Sequence, residues 1–117
     1  MFCPPPLRWK LTEVPFGLDY PYWTEDPEFD LFVKGVVAEM TVKAGQKCTA
    51  IRRTIVPEAL ADDVIAAIST RLAKTTVGNP ADESVRMGAL ASLGQRDEVR
   101  KAIEALRNSA DIVYGDP

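Results

Sequence analysis

The sequence predicts an α/β fold in the order helix, strand, helix, loop, helix, strand, preceded by an irregular lead. Three observations carry this: apolar residues recur at helical spacing in three segments, two short runs are rich in β-branched residues, and proline or glycine separates them. The expected division is an irregular segment over residues 1–24 and a regular one over residues 25–117.

The first helix is signalled by Asp26-Pro27-Glu28, which combines a capping acceptor, a proline suited to the first turn and an acid near the positive end of the helix dipole. Phe29, Phe32, Val33, Val36, Val37 and Met40 then follow the i, i+3, i+4, i+7 rule, which takes the helix to about Ala44 with a stop at Gly45. Residues 50–56 carry Ile51, Thr54, Ile55 and Val56, and their brevity and β-branching predict a strand. Pro57-Glu58 opens a second helix with the stripe Leu60, Val64, Ala67, Ile68 and Leu72. Gly78-Asn79-Pro80 punctuates a loop that runs to Leu90. Ser92 with Gln95 fits a capping box for a third helix bearing Val99, Ala102, Ile103 and Leu106 on one face. Ile112-Val113-Tyr114 reads as a short closing strand before Gly115.

The lead is different in kind. Six of the nine prolines lie in residues 1–27 and six of the nine aromatics in residues 1–23, and no single periodicity survives Pro4-Pro5-Pro6, Pro15 and Pro21. At 117 residues the chain has the length of one domain. Size scaling lets it bury all but about 6,300 Å² of an unfolded surface of about 18,700 Å². Yet two short strands need a sheet to join and the apolar stripes need a cover, so the regular part reads as a piece of a larger layered structure.

Composition narrows the chemistry. A net charge of −3 makes no electrostatic case for nucleic acid or an anionic membrane. The apolar runs fall short of a transmembrane span, and residues 1–24 lack the pattern of a signal peptide, so a soluble cytoplasmic protein is expected. No histidine is present, which removes Ser-His-Asp and Cys-His pairs within the chain. Cys3 and Cys48 stand too far apart for a CxxC site and are too few for a disulfide framework, as suits a reducing compartment.

Cys48 lies in Gly45-Gln46-Lys47-Cys48-Thr49-Ala50, between the first helix and the first strand, with Lys43, Lys47, Arg52 and Arg53 nearby in sequence. Such a position suits a nucleophilic thiol, although a lone cysteine is more often a small buried apolar residue. Cys3 reads as an incidental thiol. Lys47, Arg52 and Arg53 form either a phosphate patch or, more plainly, a solvated edge; Asp62-Asp63 and Asp82-Glu83 read as solvated surface rather than a metal site. Gly78-Asn79-Pro80 lacks the repeated glycines and the lysine of a phosphate cradle.

The block Met40-Thr41-Val42-Lys43-Ala44-Gly45-Gln46-Lys47-Cys48-Thr49-Ala50 resembles the nucleophile segment of the NAD(P)-dependent aldehyde dehydrogenase superfamily, in which Gly-Gln-x-Cys precedes a strand. Val77-Gly78-Asn79-Pro80 and Met87-Gly88-Ala89-Leu90-Ala91-Ser92 are similar to two further family blocks and follow in the family's order. Ala89, where most of the family has proline, and Thr41-Val42-Lys43-Ala44 resemble the subgroup of bifunctional phenylacetate-degradation proteins, whose dehydrogenase domain oxidises a ring-opened CoA semialdehyde.

The resemblance implies that Cys48 is the nucleophile and that its backbone N–H is an oxyanion donor. The thiolate would add to an aldehyde, a hydride would leave to NAD or NADP, and water would release the acid from the thioester. It also implies a fragment: the family's nucleotide-binding domain, its oxyanion-hole asparagine and its nicotinamide-ribose element have no counterpart here. The isolated chain is therefore expected to bind the cofactor poorly and to turn over little or no aldehyde.

Glu13 stands within reach of the family's general-base position, but its neighbours Leu11-Thr12-Glu13-Val14-Pro15 do not match that context. A shifted reading of the codons for Arg8-Trp9-Lys10-Leu11-Thr12, with AAG for lysine and CTG for leucine, spells Glu-Ala-Asp, which resembles the subgroup's general-base segment. The expectation is that residues up to about Thr24 are translated out of frame and that the family frame resumes near Glu25; sequencing the gene decides it. The competing reading is a small non-enzymatic interaction module with a structural cysteine. Exposed apolar helix faces would in either case favour self-association.

Overall fold

A computed structural model describes residues 27–115. Cys3, Glu13, the proposed out-of-frame lead and the Asp26 cap lie outside the described residues. Helix α1 spans Pro27–Thr41, with Pro27 in its first position and Glu28 and Asp30 in its first turn. It ends three residues before the expected Ala44. The Thr41 hydroxyl donates to the Val37 carbonyl at 2.8 Å, and the backbone then turns left-handed at Lys43 (φ 51°), Ala44 (φ 52°) and Gly45 (φ 71°). Only Gly45 adopts that conformation without a Cβ penalty; for each of the other two the cost is about 1–2 kcal/mol. Strain is thus concentrated in the segment that leads into Cys48.

Residues 50–57 run as irregular chain, then a single 3₁₀ turn at Glu58–Leu60 leads into α2, Ala61–Leu72. Asp62 and Asp63 sit in the first turn of α2 and Arg71 in its last, each favourable to the helix dipole. The apolar stripes of α1 and α2 pack on each other. Phe29, Val33 and Val64 form a buried cluster, with Phe32, Val56, Ala67 and Ile68 packed on it. Val36, Ala50 and Leu60 complete the buried set among the described residues. Arg71 of α2 pairs with Asp30 of α1 at the surface, where such a pair contributes about 0–1 kcal/mol.

Beyond α2, the loop over residues 75–92 is closed by a parallel bridge between Val77 and Met87. Helix α3, Leu93–Leu106, is capped as expected: the Ser92 hydroxyl accepts from the Gln95 N–H at 3.1 Å. None of its residues is buried and Leu93, Val99 and Leu106 are exposed, so its apolar face has no cover among the described residues.

Of the α/β expectation, only the helices form among the described residues. No strand forms among the described residues: residues 50–56 and Ile112-Val113-Tyr114 run as irregular chain outside any ladder, with Ile55 85% and Val113 62% exposed. A strand exists only through a neighbour that accepts its hydrogen bonds, and none of the described segments supplies one. Helices α1 and α2 persist because their hydrogen bonds are internal and their stripes cover each other. No helix among the described residues is long and apolar enough to cross a membrane.

Candidate functional site

The left-handed turn at Lys43–Gly45 brings the chain off α1 into a tight loop whose carbonyls are gathered by side chains. The Gln46 backbone N–H donates to Lys43 O at 3.0 Å and its side-chain amide to the same oxygen at 3.1 Å. The Ala50 N–H closes a turn on Lys47 O at 3.0 Å. Cys48 sits at the tip of that turn as an exposed free thiol, between the half-buried Lys47 and the buried Ala50. The position differs from the buried, small-apolar role that a lone cysteine more often takes.

Arg52 is the centre of the loop. Its guanidinium donates to Ala50 O at 2.9 Å, Lys47 O at 3.0 Å and Gly45 O at 3.1 Å. The Lys47 ammonium reaches back to both carboxylate oxygens of Glu39 on α1, each at 3.1 Å. Lys47 and Arg52 of the candidate phosphate patch are therefore turned onto protein acceptors. What sequence reasoning missed was this backbone-binding role of Arg52; the guanidinium fork suits several converging carbonyls, but nothing in local spacing marks it.

The three motif blocks are joined through polar contacts. Gln46 Oε1 accepts from the Ala91 N–H at 2.9 Å, linking the Cys48 loop to the block before α3. The Gly78 N–H donates to Met87 O at 3.1 Å, and the Arg86 and Met87 N–H groups both reach Thr76 O at 3.0 Å, linking the second block to the third. Gly88 lies against the Pro80 ring, where an added Cβ would come within 3.7 Å. Gly78 is tighter: a Cβ there would meet the Val85 side chain at 3.2 Å. The Val77–Pro80 turn is thus packed on its own loop and does not present an open cradle for a diphosphate, as its sequence suggests.

The acidic pairs behave as surface. Asp62 and Asp63 are exposed in the first turn of α2, and no metal-binding cluster of acids, cysteines or histidines forms among the described residues. Asp82 serves the loop: its Oδ1 accepts from the Ser84 N–H at 2.9 Å and the Ser84 hydroxyl at 2.8 Å, which hold the carboxyl below its ordinary pKa of 3.8, the backbone bond being the larger cause. Because the folded value is lowered, the contribution to stability is present above the unfolded value and is lost as pH falls through the folded one. The Ser84 amide resonance should accordingly titrate below pH 3.8, and Asp82→Asn should remove that titration; a midpoint at or above 3.8 contradicts the bonding described.

An open groove of about 800 Å³ lies along α1 and α2, lined among others by Asp30, Lys34, Arg71, Lys74 and Arg86. None of its lining residues belongs to the three motif blocks, so it is separate from the Cys48 loop.

Comparison with known proteins identifies the family. Residues 22–117 match the model of the aldehyde dehydrogenase family. The chain is 48% identical over 92 residues to a 3,4-dehydroadipyl-CoA semialdehyde dehydrogenase of Aromatoleum evansii, covering 78% of this chain and 18% of that protein. A 1-pyrroline-5-carboxylate dehydrogenase of Oceanobacillus iheyensis is 35% identical over 92 residues, again 78% of this chain and 18% of that protein. A hydroxyisobutyraldehyde dehydrogenase of Mycolicibacterium austroafricanum is 40% identical over 73 residues, 62% of this chain and 14% of that protein. The chain spans less than a fifth of the length of these curated relatives.

Proposed function

The chain belongs to the aldehyde dehydrogenase family, and from that premise we propose that it carries the nucleophile segment of an aldehyde-oxidising enzyme, with Cys48 as the nucleophile. The single observation that supports the assignment best is the loop itself. An exposed thiol stands at the tip of a turn, and the Cys48 N–H donates to no protein group among the described residues. Thiol and N–H are both open to a carbonyl that approaches the tip. The Cys48 thiolate adds to the aldehyde carbon, the carbonyl π pair moves to oxygen, and the backbone N–H stabilises the oxyanion that becomes the thiohemiacetal.

The family generally uses NAD or NADP as hydride acceptor. The glycine turn that comes nearest to a phosphate cradle does not fit that group: a Cβ at Gly78 would meet the Val85 side chain at 3.2 Å, so the Val77–Pro80 turn is filled by its own loop. Oxidation and thioester hydrolysis thus fall to polypeptide beyond these residues, and the isolated chain is inactive as a dehydrogenase. Mixing it with NAD or NADP and several aldehydes should give no reduced cofactor. The aldehyde is a CoA-linked semialdehyde, a reading supported by the relative named for such a substrate at 48% identity. The enzyme works in the cytoplasm, and the exposed stripe of α3 drives self-association when nothing else covers it.

A second reading, a non-enzymatic module that docks through its helix faces, is favoured by one observation, the unburied α3 stripe. Iodoacetamide labelling followed peptide by peptide across a pH series separates the two. Cys48 should label several-fold faster than Cys3 in the same molecule, whereas a Cys48 no faster than Cys3 at every pH favours the docking module.

A further inference from the structure

Resting on the nucleophile role of Cys48, we propose that Arg52 is its positioning residue: the guanidinium fixes the peptide plane between Lys47 and Cys48 and thereby directs the oxyanion-binding N–H. A trans peptide holds its C=O and N–H in one plane, pointing in opposite directions. No cis peptide occurs among the described residues, so the Lys47 carbonyl and the Cys48 N–H share such a plane. Two donors hold that carbonyl, Arg52 Nη2 at 3.0 Å and the Ala50 N–H at 3.0 Å. With the oxygen fixed on the guanidinium side, the Cys48 N–H faces away from it.

The other two Arg52 contacts extend the same geometry. Gly45 O at 3.1 Å lies before Cys48 in the chain, and Ala50 O at 2.9 Å lies after it. The backbone on both sides therefore turns its carbonyls toward one cation. The negative ends of these dipoles are neutralised by the guanidinium, while the opposite, N–H side of the Lys47–Cys48 peptide is left to an anion. A rigid planar fork with five N–H donors suits three converging carbonyls, whereas an ammonium is a point charge on a flexible stem. The Lys47 ammonium takes no part, being held by Glu39.

A test needs two reagents that differ in whether charge builds on oxygen. With p-nitrophenyl acetate the Cys48 thiolate, its proton lost to buffer, attacks the carbonyl carbon and a C–S bond forms as the π pair moves to oxygen. The C=O then re-forms and p-nitrophenolate leaves with the C–O pair, giving acetyl-Cys48. With iodoacetamide a C–S bond forms as iodide leaves, and no oxyanion appears. Both rates are measured at Cys48 and Cys3 by peptide-resolved mass spectrometry in the full chain, in Arg52→Gln and in Arg52→Lys, with far-UV circular dichroism reporting helix content.

Arg52→Gln should lower acetylation of Cys48 relative to its alkylation by about tenfold, a part of what loss of a whole oxyanion donor costs. Arg52→Lys should fall between, and the ratio at Cys3 should not move. An unchanged ratio at a fast-acetylating Cys48 overturns the positioning role and leaves the nucleophile standing. Both rates falling together to those of Cys3 also overturns it, as mere support of the loop. A wild-type Cys48 acetylated no faster than Cys3 overturns both.

Discussion

Replacing Val33 with aspartate should abolish the cooperative unfolding transition of the helical pair, while the same substitution at Leu31 should leave it nearly unchanged. Val33 is 1% exposed in the cluster with Phe29 and Val64, and Leu31, two residues away on α1, is 68% exposed. A carboxylate at position 33 would have to ionise without a partner or stay protonated among apolar groups, at a cost of several kcal/mol. The core is only a few side chains deep, so that cost exceeds what it contributes. Val33→Ala is the milder probe: two methyl groups lost at about 0.8 kcal/mol each, plus a cavity term, should lower stability by about 2 kcal/mol. Helix content followed by far-UV circular dichroism through a denaturant series measures all three. Equal midpoints for the substitutions at 31 and 33 would contradict the packing of α1 on α2.

The second large effect is chemical. When the matching segment of the 48%-identical semialdehyde dehydrogenase is exchanged for residues of this chain, the hybrid should oxidise its CoA-linked aldehyde, and Cys48→Ser should lower that turnover by at least about 10³-fold. Serine preserves volume and backbone, so the loss isolates the sulfur. Its hydroxyl ionises far less readily than a thiol, and the described loop offers no histidine or other base to activate it. A hybrid that folds and keeps within tenfold of its turnover after Cys48→Ser would remove Cys48 from the nucleophile role.

What could be read in the sequence and what could not divides by the range of the interaction. The stripe Phe29, Val33, Val36 and the stripe Leu60, Val64, Ala67 specify helices from local spacing, while that the two cover each other is set by the tertiary fold and was not legible there. Ser92 capping Gln95 is legible for the same reason, since cap and donor lie three residues apart. Residues 50–56 have the composition of a strand, but pairing depends on a partner whose presence composition cannot report, and among the described residues there is none. The stripe of α3 was legible as a face while its cover was not.

The site follows the same division. The Gly-Gln-x-Cys block located Cys48, and family membership agrees with that resemblance. The contact between Gln46 and Ala91 spans 45 positions and is set by the way the loop folds back, not by any local pattern. Arg52 looked like one member of a surface charge group, yet it is spent on three carbonyls around the thiol. The left-handed backbone at Lys43 and Ala44 was equally hidden, because neither residue type advertises that conformation.

The most direct measurement of the central claim is the covalent intermediate. The hybrid enzyme, mixed with its aldehyde and oxidised cofactor and quenched in acid during turnover, should yield the peptide containing Cys48 with the mass of the acyl group added through a hydroxylamine-sensitive thioester. Turnover at an undiminished rate with that peptide unmodified, or with the acyl group on another residue, would contradict the assignment of Cys48 as the nucleophile.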